Sequence, residues 1–459
     1  MSKRGFFVDI LSVAGTKSFN SILKFALGVI IARALGPEGK GMYAFLITVP
    51  TMIISLAELG VRRATIYHIG KKIHSAEKII SVLSFFLIFT SIVGIIITYS
   101  VFSYDDTEIP LSLMIVTLLT IPVRLINKYT RGILIGKEQF KRSNKLAWIP
   151  NFLNLFSVVL FVIIFQWSVL GAILSLLISN TFVGFFAVWI VAKDHKISIS
   201  FDYKIIKSLL ELGLVYAVAI FLVKLNFRID ILLLKYLSTT TEVGFYNQGV
   251  SVAERWQAPF ALGAVILSRS ANTENQDVVH NQIARLFRMT VIIGILAASV
   301  VYFISPYFVP FVYGEAFTPS VRIVQYILPA VVLVIMAKIL ASRLAGLQKT
   351  YIIILLYLPA LIINIILNLI LIPKYQAMGA VYSTNVSYTI SFIGMVIIYS
   401  RIIKRPVFDL FKFRKSDFDF IFSVKQMIVN KLTGKPQKRK KIKQKRVDSD
   451  EFSFDDADF

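Results

Sequence analysis

The chain has 459 residues, of which 56% are hydrophobic and only 17% charged. Soluble domains carry about 25% charged residues, and a chain this apolar lacks the polar surface that a soluble fold needs. The net charge of +24 would indicate nucleic acid in a soluble protein, but basic loops of a membrane protein produce the same excess, so we expect no nucleic-acid partner. The chain contains no cysteine and its four histidines lack metal-ligand spacing, so we expect neither a metal site nor a cofactor.

Apolar blocks of the length that crosses about 30 Å of hydrocarbon recur along the chain. They predict an all-α polytopic membrane protein with about twelve transmembrane helices. The predicted spans are 8–34, 42–61, 79–102, 109–127, 146–165, 169–192, 208–236, 243–268, 289–310, 320–342, 351–372 and 378–400. The first block contains Lys17, Asn20 and Lys24, so we interpret it as a membrane span and not as a cleaved signal peptide.

Basic residues alternate between successive loops. With the N-terminus inside, the predicted inside segments hold 38 of the 50 Lys and Arg, and the predicted outside loops hold only Lys40 and Lys374. A missed or additional helix would invert every later loop and destroy this alternation. We therefore expect a multi-pass protein of the inner (cytoplasmic) membrane with both termini cytoplasmic. The outer loops are short, the one at Ser103–Ile109 is acidic, and the longest lies around Pro306–Pro319.

The two halves of the chain resemble each other at several positions. The positions in the first half are Arg33, Leu35, Gly41, Tyr43, Gly171, Ala172 and Ser175, and their counterparts in the second half are Lys235, Leu237, Gly244, Tyr246, Gly379, Ala380 and Ser383. Six spans per half is an even number, so both halves enter the membrane in the same direction and enclose a central site. This predicts an N-terminal lobe of spans 1–6 (residues 1–200) and a C-terminal lobe of spans 7–12 (residues 201–402).

The composition changes after Arg401. Residues 407–432 mix six phenylalanines with charged residues, and 435–446 carry eight Lys or Arg in twelve positions. Six acids follow between Asp448 and Asp458. These patterns predict a cytoplasmic tail over 403–459 that is first amphipathic, then polybasic and near anionic lipid, then acidic, and disordered for much of its length.

Ionisable residues within the predicted spans form polar faces. A charged side chain that faces lipid costs a few kcal/mol, so such residues usually face protein or a water-filled cavity. Lys17, Asn20 and Lys24 share one face of span 1, and Ser55 and Glu58 share one face of span 2. The corresponding spans of the second half carry Lys224, Arg228, Asn247, Ser251, Glu254 and Arg255. We expect these faces to converge on one central cavity.

Positive charge dominates these faces, with ten Lys or Arg and four acids in the predicted spans. Lys and Arg donate charge-assisted hydrogen bonds to phosphate oxygens, so a cationic cavity suits an anionic cargo. We predict no catalytic residue. The predicted phosphate-binding residues are Lys17, Lys24, Lys224, Arg228 and Arg255, the predicted polar lining is Asn20, Ser55, Asn247 and Ser251, and the candidates for ion coupling are Glu58 and Glu254.

Three segments resemble one family. Ile31–Tyr43 (IARALGPEGKGMY) is similar to the first-loop signature of the polysaccharide transport family, and Arg131–Asn144 and Arg343–Lys349 are similar to its loops after the fourth and tenth spans. That family contains the Wzx-type flippases of O-antigen and capsule repeat units, within the multidrug/oligosaccharidyl-lipid/polysaccharide exporter superfamily. The resemblance covers residues 1 to about 405.

The resemblance implies a MATE-like fold, with two six-helix lobes around a cavity that opens alternately to each side of the membrane. It also implies an undecaprenyl-pyrophosphate-linked oligosaccharide as substrate, contact with membrane lipids, and a polysaccharide polymerase and chain-length machinery as partners. A surface-polysaccharide transporter of the cell membrane is therefore expected.

Three other functions remain open. An ion-coupled antiporter for drugs or metabolites, in the same superfamily, predicts an acidic or aromatic cavity, which the charge count disfavours. A lipid II flippase typically has fourteen spans, whereas this chain has twelve predicted spans. A membrane glycan polymerase or ligase usually carries a substantial outer loop with catalytic residues, and the short outer loops here favour a transporter over an enzyme.

Overall fold

The computed structural model describes residues 3–104, 109–255, 276–347, 349 and 351–413, and within these ranges it leaves out the side chains of 3–18, 215–216 and 276–278. The regular elements of this part of the chain are helical. They are α1 Lys3–Ala57, α2 Val61–Gly70, α3 Ala76–Ser103, α4 Leu111–Gly136, α5 Phe140–Val158 with a π-helical continuation at Val159–Ile164, α6 Ser168–Asp194, α7 Tyr203–Leu237, α8 Thr240–Arg255, α9 Gln276–Tyr313, a 3₁₀ turn at Glu315–Phe317, α10 Ser320–Gly346, α11 Tyr351–Tyr375, α12 Ala377–Ile403 and the short α13 Phe408–Phe411.

The described helices account for the predicted spans. Nine of them are long and apolar enough to cross a membrane, and α7, which bends by 44° between Leu214 and Ala217, makes ten. Helix α1 contains span 1 and most of span 2, and it kinks at Gly36 (φ 65°) instead of forming the expected outer loop. Span 8 begins as α8, and the remainder of that predicted span lies beyond the described residues.

Two outer connections differ from the expected loops. Helix α9 runs through Pro306 and Pro310 to Tyr313, so most of the expected loop around Pro306–Pro319 is helix. A proline inside a helix loses one backbone hydrogen bond and bends the helix without necessarily ending it. The acidic part of the loop at Ser103–Ile109, residues 105–108, lies outside the described residues.

The internal repeat is visible in equivalent backbone contacts. A Cβ added at Gly171 would lie 2.9 Å from the carbonyl oxygen of Phe161, and one added at Gly379 would lie 2.3 Å from that of Leu371. Both glycines therefore let the sixth span of a lobe pack closely on the end of the fifth. One turn later, Ser175 and Ser383 each donate a hydrogen bond to the carbonyl oxygen of that glycine, at 2.7 and 2.9 Å.

A second pair of repeat-related glycines joins the two lobes. A Cβ at Gly41 would lie 1.9 Å from the carbonyl oxygen of Thr240, and a Cβ at Gly244 would lie 1.9 Å from that of Pro37. Helices α1 and α8 thus meet backbone to backbone, as small residues permit in membrane interfaces. We call the end of the helix bundle that contains this contact the outer end, because the predicted outside loops lie there.

Arg33 adds a polar contact at the outer end. Its Nε donates to the carbonyl oxygen of Val312 at 2.8 Å, and its Nη2 donates to that of Phe311. These carbonyls belong to the last turn of α9, where helix carbonyls lack partners within the helix and carry partial negative charge. The side chain therefore connects the first span to the ninth, whereas the sequence alone predicts only a position near a span end.

The first residues after the twelfth span remain attached to the helical body. Leu410 in α13 is buried, the ring of Phe411 packs on that of Phe287 at 5.4 Å, and Arg288 donates to the carbonyl oxygen of Asp409 at 3.1 Å. Residues up to Phe411 belong to one compact unit with the spans. Most of the predicted tail, from residue 414 onward, lies outside the described residues.

Replacing Gly244 with alanine should open the outer end. The new Cβ would lie 1.9 Å from the carbonyl oxygen of Pro37, whereas real Cβ atoms keep a distance of about 3 Å or more. Helices α1 and α8 must therefore separate. The chain contains no cysteine, so a cysteine introduced at Asn247 reports access to the space between the lobes. We expect Gly244→Ala to increase its labelling by a membrane-impermeant maleimide added from the outer side.

Gly184→Ala is the matched control, because a Cβ there meets its neighbours at an ordinary 3.7 Å. An unchanged labelling rate in Gly244→Ala would contradict an outer seal at this contact.

Candidate functional site

A central cavity of about 570 Å³ lies between the two halves of the bundle. This volume is in the range of pockets that hold drug-sized ligands. Helices α1, α7, α8, α10 and α12 contribute its described lining: Tyr43, Ala44, Ile47, Thr48, Thr51, Met52, Lys224, Phe227, Arg228, Asn247, Ser251, Glu254, Val334, Lys338 and Tyr388. Span 2 and spans 7 and 8 therefore contribute polar residues to this cavity, whereas no described residue of span 1 lines it.

Cations outnumber acids in the described lining of this cavity. Lys224, Arg228 and Lys338 face one acid, Glu254. The Nη2 of Arg228 lies 3.3 Å from Oε2 of Glu254, and the Nζ of Lys338 lies 5.4 Å from the centre of the Phe227 ring. One carboxylate cannot neutralise three cations, so the cavity attracts anions.

A second, smaller cavity of about 280 Å³ lies between α1, α2, α4 and α7, which we call the basic cavity. Its charged lining residues are Glu58, Arg62, Arg63, Lys128, Arg131 and Lys224. Glu58 accepts a hydrogen bond from Nε of Arg62 at 3.1 Å and another from Nζ of Lys128. We call this end of the bundle the basic end, since the predicted inside loops lie there.

The central cavity and the basic cavity share Lys224. Its Nζ donates to the hydroxyl of Ser55 at 2.6 Å. Arg228 lies one helical turn further along α7 and faces the central cavity. Cations therefore continue from one cavity into the other along a single helix face.

Seven of the predicted site residues line one of these two cavities. Five of them, Lys224, Arg228, Asn247, Ser251 and Glu254, lie in the central cavity, and Ser55 and Glu58 lie in the basic cavity beside Lys224.

Three predicted residues lie elsewhere, and a fourth, Lys17, cannot be placed. Lys24 is exposed and is absent from the described lining of both cavities, and the side chain of Lys17 lies outside the described part. Asn20 accepts a hydrogen bond from Asn151 at 2.9 Å, which joins α1 to α5. Arg255 packs its guanidinium over the ring of Phe25 at 4.9 Å, and a Cβ at Gly28 would meet it at 2.9 Å.

Sequence reasoning missed several residues that line the cavities. The sequence places Lys338 near the end of predicted span 10, but the side chain faces the central cavity. The sequence places Lys128 and Arg131 just beyond predicted span 4, but they lie in the last turns of α4 and face the basic cavity. The repeat contained a partial signal for these cavity cations, because the fourth and tenth spans are equivalent in the two halves. Lys128 and Arg131 lie near the end of one of these spans, and Lys338 lies near the end of the other.

Asp230 is a third acid of the interior, buried away from both cavities. Its two carboxylate oxygens accept hydrogen bonds from Tyr246 at 2.7 Å, Thr384 at 2.9 Å and Asn368 at 2.6 Å. These donors are all neutral, and no salt bridge of Asp230 occurs among the described residues. Asn368 thereby joins α11 to α7, and it also donates to Asn364 one turn earlier on α11.

The comparisons with known proteins agree with this geometry. Residues 6–257, more than half of the chain, match the family model described as polysaccharide biosynthesis protein. The chain belongs to the polysaccharide biosynthesis protein family. A Shigella flexneri protein described as an O-antigen transporter is 24% identical over 402 residues, which cover 81% of this chain and 92% of that protein.

Solved structures show the same fold. The lipid II flippase MurJ in an inward closed conformation matches with a TM-score of 0.71 at 15% identity, covering 92% of this chain and 97% of MurJ. An inward-facing multidrug resistance transporter of the MATE family matches with a TM-score of 0.69 at 16% identity, covering 84% of this chain and 94% of that one.

The family expected from the first-loop signature is thus confirmed, and so is the MATE-like architecture of about twelve helices in two lobes. The chain is a multi-pass, all-helical membrane protein of this family, with the fold of the MATE and MurJ structures.

The excess of cations in the central cavity can be measured with charged thiol reagents. We expect Ser251→Cys to react several-fold faster with an anionic methanethiosulfonate than with a cationic one of similar size, because Lys224, Arg228 and Lys338 line the same cavity. The reaction rate of each reagent with the introduced cysteine would be divided by its rate with free cysteine in solution.

Ser383→Cys is the buried control, since Ser383 is fully enclosed and should react slowly with both reagents. Faster reaction of Ser251→Cys with the cationic reagent would contradict an anion-attracting cavity.

Proposed function

We propose that this transporter moves undecaprenyl-pyrophosphate-linked oligosaccharide repeat units across the inner membrane by alternating access. The observation that carries the proposal is the central cavity between the lobes, with three cations and one acid in its described lining. A pyrophosphate offers several anionic oxygens, and Lys and Arg bind such oxygens through charge-assisted hydrogen bonds. The family and the Shigella flexneri relative support a polysaccharide intermediate as the cargo.

The lining offers a place for each part of such a cargo. Lys224, Arg228 and Lys338 would hold the pyrophosphate. Asn247, Ser251 and Tyr388 offer hydrogen-bonding groups to the sugars next to it. The polyprenyl chain would remain in lipid between the lobes. Transport then requires only two conformations and no covalent step.

The outer seal defines one of those conformations. With Gly41 and Gly244 in backbone contact, the cavity is closed toward the outer end. The second conformation would separate this contact and close the basic end instead. Because the two lobes are repeats, we include in the proposal a rigid-body rocking of residues 1–200 against residues 201–402. We also include cytoplasmic termini, which would place the basic end on the cytoplasmic side.

The other functions fit the cavity less well. An antiporter for cationic drugs needs acidic or aromatic groups. The described lining offers the rings of Tyr43, Phe227 and Tyr388. Its three cations, however, repel a cationic drug, and its one acid, Glu254, is already paired with Arg228. A lipid II flippase shares the fold with MurJ, but the O-antigen transporter resemblance favours an oligosaccharide repeat unit.

Ion coupling can be assigned among three acids. Glu58 and Glu254, the sequence candidates, already form ion pairs with Arg62, Lys128 and Arg228. Asp230 is held by neutral donors, and a buried carboxylate without an internal cation requires a proton or a metal cation to neutralise it. We therefore add Asp230 to the two candidates and rank it above them.

The role of Lys224 can be tested in a strain that lacks its own oligosaccharide flippase. We expect Lys224→Gln to reduce surface polysaccharide strongly at equal protein level, and Lys224→Arg to retain more. Loss of a charge-assisted hydrogen bond costs roughly 10- to 100-fold in affinity. Lys24→Gln should cost less than Lys224→Gln, because Lys24 lies outside the described cavity lining.

Lys207→Gln is the matched control, since Lys207 pairs with Glu211 on the exposed surface at 3.8 Å. Purified protein in liposomes should also translocate a fluorescent undecaprenyl-pyrophosphate oligosaccharide. Normal export by Lys224→Gln, or translocation of a cationic drug instead, would contradict the proposal.

The coupling residue can be identified from the pH and sodium dependence of translocation in liposomes. We expect Asp230→Asn to abolish that dependence, because the neutral amide needs no counter-ion. Glu58→Gln and Glu254→Gln should lower the rate but keep the dependence. If the dependence survives in Asp230→Asn and disappears in either glutamate variant, the sequence candidates are correct and Asp230 is structural.

A further inference from the structure

The basic cavity depends on a tight turn between α1 and α2 and on two glycines at its closest backbone contacts. Leu59 (φ 48°) and Gly60 (φ 68°) break the chain between α1 and α2, and a Cβ at Gly60 would lie 2.0 Å from the carbonyl oxygen of Gly213. The break places Glu58 at the end of α1 and Arg62 at the start of α2 on the same cavity. Positive φ is costly for leucine, so this turn is held by its surroundings.

Another glycine brings α4 to the same place. A Cβ at Gly132 would lie 2.9 Å from Cγ of Arg62 and 3.3 Å from its carbonyl oxygen. The absence of a side chain lets α4 lie directly on the start of α2. On α4, Lys128 lies one turn before Gly132 and Arg131 lies immediately before it. The close packing at Gly132 therefore brings both cations to the cavity.

Glu58 occupies the position that an anionic ligand would take. Each of its two carboxylate oxygens accepts from a different cation, Oε1 from Arg62 and Oε2 from Lys128. Two oxygens of a phosphate group can accept from the same pair in the same way. Glu58 is therefore an internal counter-ion that a stronger anion can displace.

The cavity nevertheless holds more positive charge than Glu58 can balance. Five of its described lining residues are cations and one is an acid. The Nε of Arg131 is buried and has no hydrogen-bond partner among the described residues, and the Nζ of Lys224 donates to the neutral hydroxyl of Ser55. Arg63 is exposed and the other four cations are half-buried, and like charges gathered around one small cavity repel one another, so this site gains free energy when an anion with several oxygens enters.

We propose that the basic cavity is a loading subsite for the phosphate groups of the cargo, separate from the central cavity. The anion displaces Glu58 from Lys128 and Arg62, binds Arg131, and is then passed to the central cavity through Lys224, which lines both. The proposal rests on the proposed function for the identity of the cargo. The shared ligand chemistry is a phosphate group, whether it comes from the cargo or from an anionic lipid headgroup.

The test uses the full-length protein in nanodiscs of neutral phosphatidylcholine, with calorimetric titration of inorganic pyrophosphate. We expect Lys128→Gln and Arg131→Gln each to weaken binding about 10- to 100-fold. Glu58→Gln should tighten binding about tenfold, because the carboxylate no longer competes for the cations. A purely structural Glu58 would give the opposite sign, since its removal would leave the site disordered.

Arg142→Gln is the matched control. Arg142 is a basic residue at the same end, paired with Asp194 at 3.4 Å and exposed, and its replacement should leave pyrophosphate binding unchanged. Arg131→Gln keeps the Glu58 and Lys128 pair intact, so it remains informative if Glu58→Gln or Lys128→Gln unfolds. Wild-type affinity in both Lys128→Gln and Arg131→Gln would overturn the proposal.

A second set of nanodiscs containing phosphatidylglycerol separates the two phosphate sources. If pyrophosphate still binds in these nanodiscs, and its binding still depends on Lys128, the result supports the cargo as the occupant of the basic cavity. Loss of that binding, together with a phosphatidylglycerol-induced rise in Tm that Lys128→Gln removes, would assign the site to a lipid headgroup and overturn the loading role.

Failure of this inference is distinguishable from failure of the proposed function. If Lys128→Gln translocates lipid-linked oligosaccharide normally and binds pyrophosphate normally, the loading subsite is wrong and the flippase proposal stands. If wild-type protein binds pyrophosphate through Lys128 but translocates no such oligosaccharide, the anion subsite stands and the cargo must be another phosphate-bearing lipid.

Discussion

The cost of an unbalanced charge in hydrocarbon determines how this helix bundle is arranged. Every ionisable side chain in a span must find a counter-charge, a set of hydrogen-bond partners or water. Arg33 finds the carbonyls at the end of α9, and Asp230 finds three neutral donors. Glu58 and Glu254 find cations. The remaining cations line the cavities. The cost of a charge that faces lipid therefore accounts both for the orientation of the helices and for the charge of the cavities.

Glycine supplies the close contacts that this arrangement needs. At the outer end, Gly41 and Gly244 bring two backbones together, and at the basic end Gly60 and Gly132 let α2, α4 and α7 meet. The contact between Gly41 and Gly244 is made by backbone atoms and involves no ion pair of its own. Such a contact suits a seal that opens and closes, because separating it exposes few polar groups. Two lobes joined by such small contacts would suit the alternating access proposed above.

Charge excess also connects the cavities to the cargo. The central and basic cavities each hold more cations than acids in their described lining, and Lys224 belongs to both. An anionic cargo would relieve the repulsion in each cavity in turn. In the proposed function, movement of the cargo and change of conformation would be coupled through the same side chains, and Glu58 would serve as the partner of Lys128 and Arg62 between transport events.

The sequence by itself determined the membrane insertion, the order of the spans, the repeat and the family, because hydropathy, basic loops and short motifs are local along the chain. It also identified the polar faces that hold Lys224, Arg228, Asn247, Ser251 and Glu254, because a helix places every third or fourth residue on one face. Only the tertiary structure decided that Lys338 and Lys128 face cavities while Asn20 bonds to Asn151 and Arg255 packs on Phe25. Periodicity defines a face of a helix, but the rotation and tilt that choose what this face contacts depend on packing between helices distant in sequence.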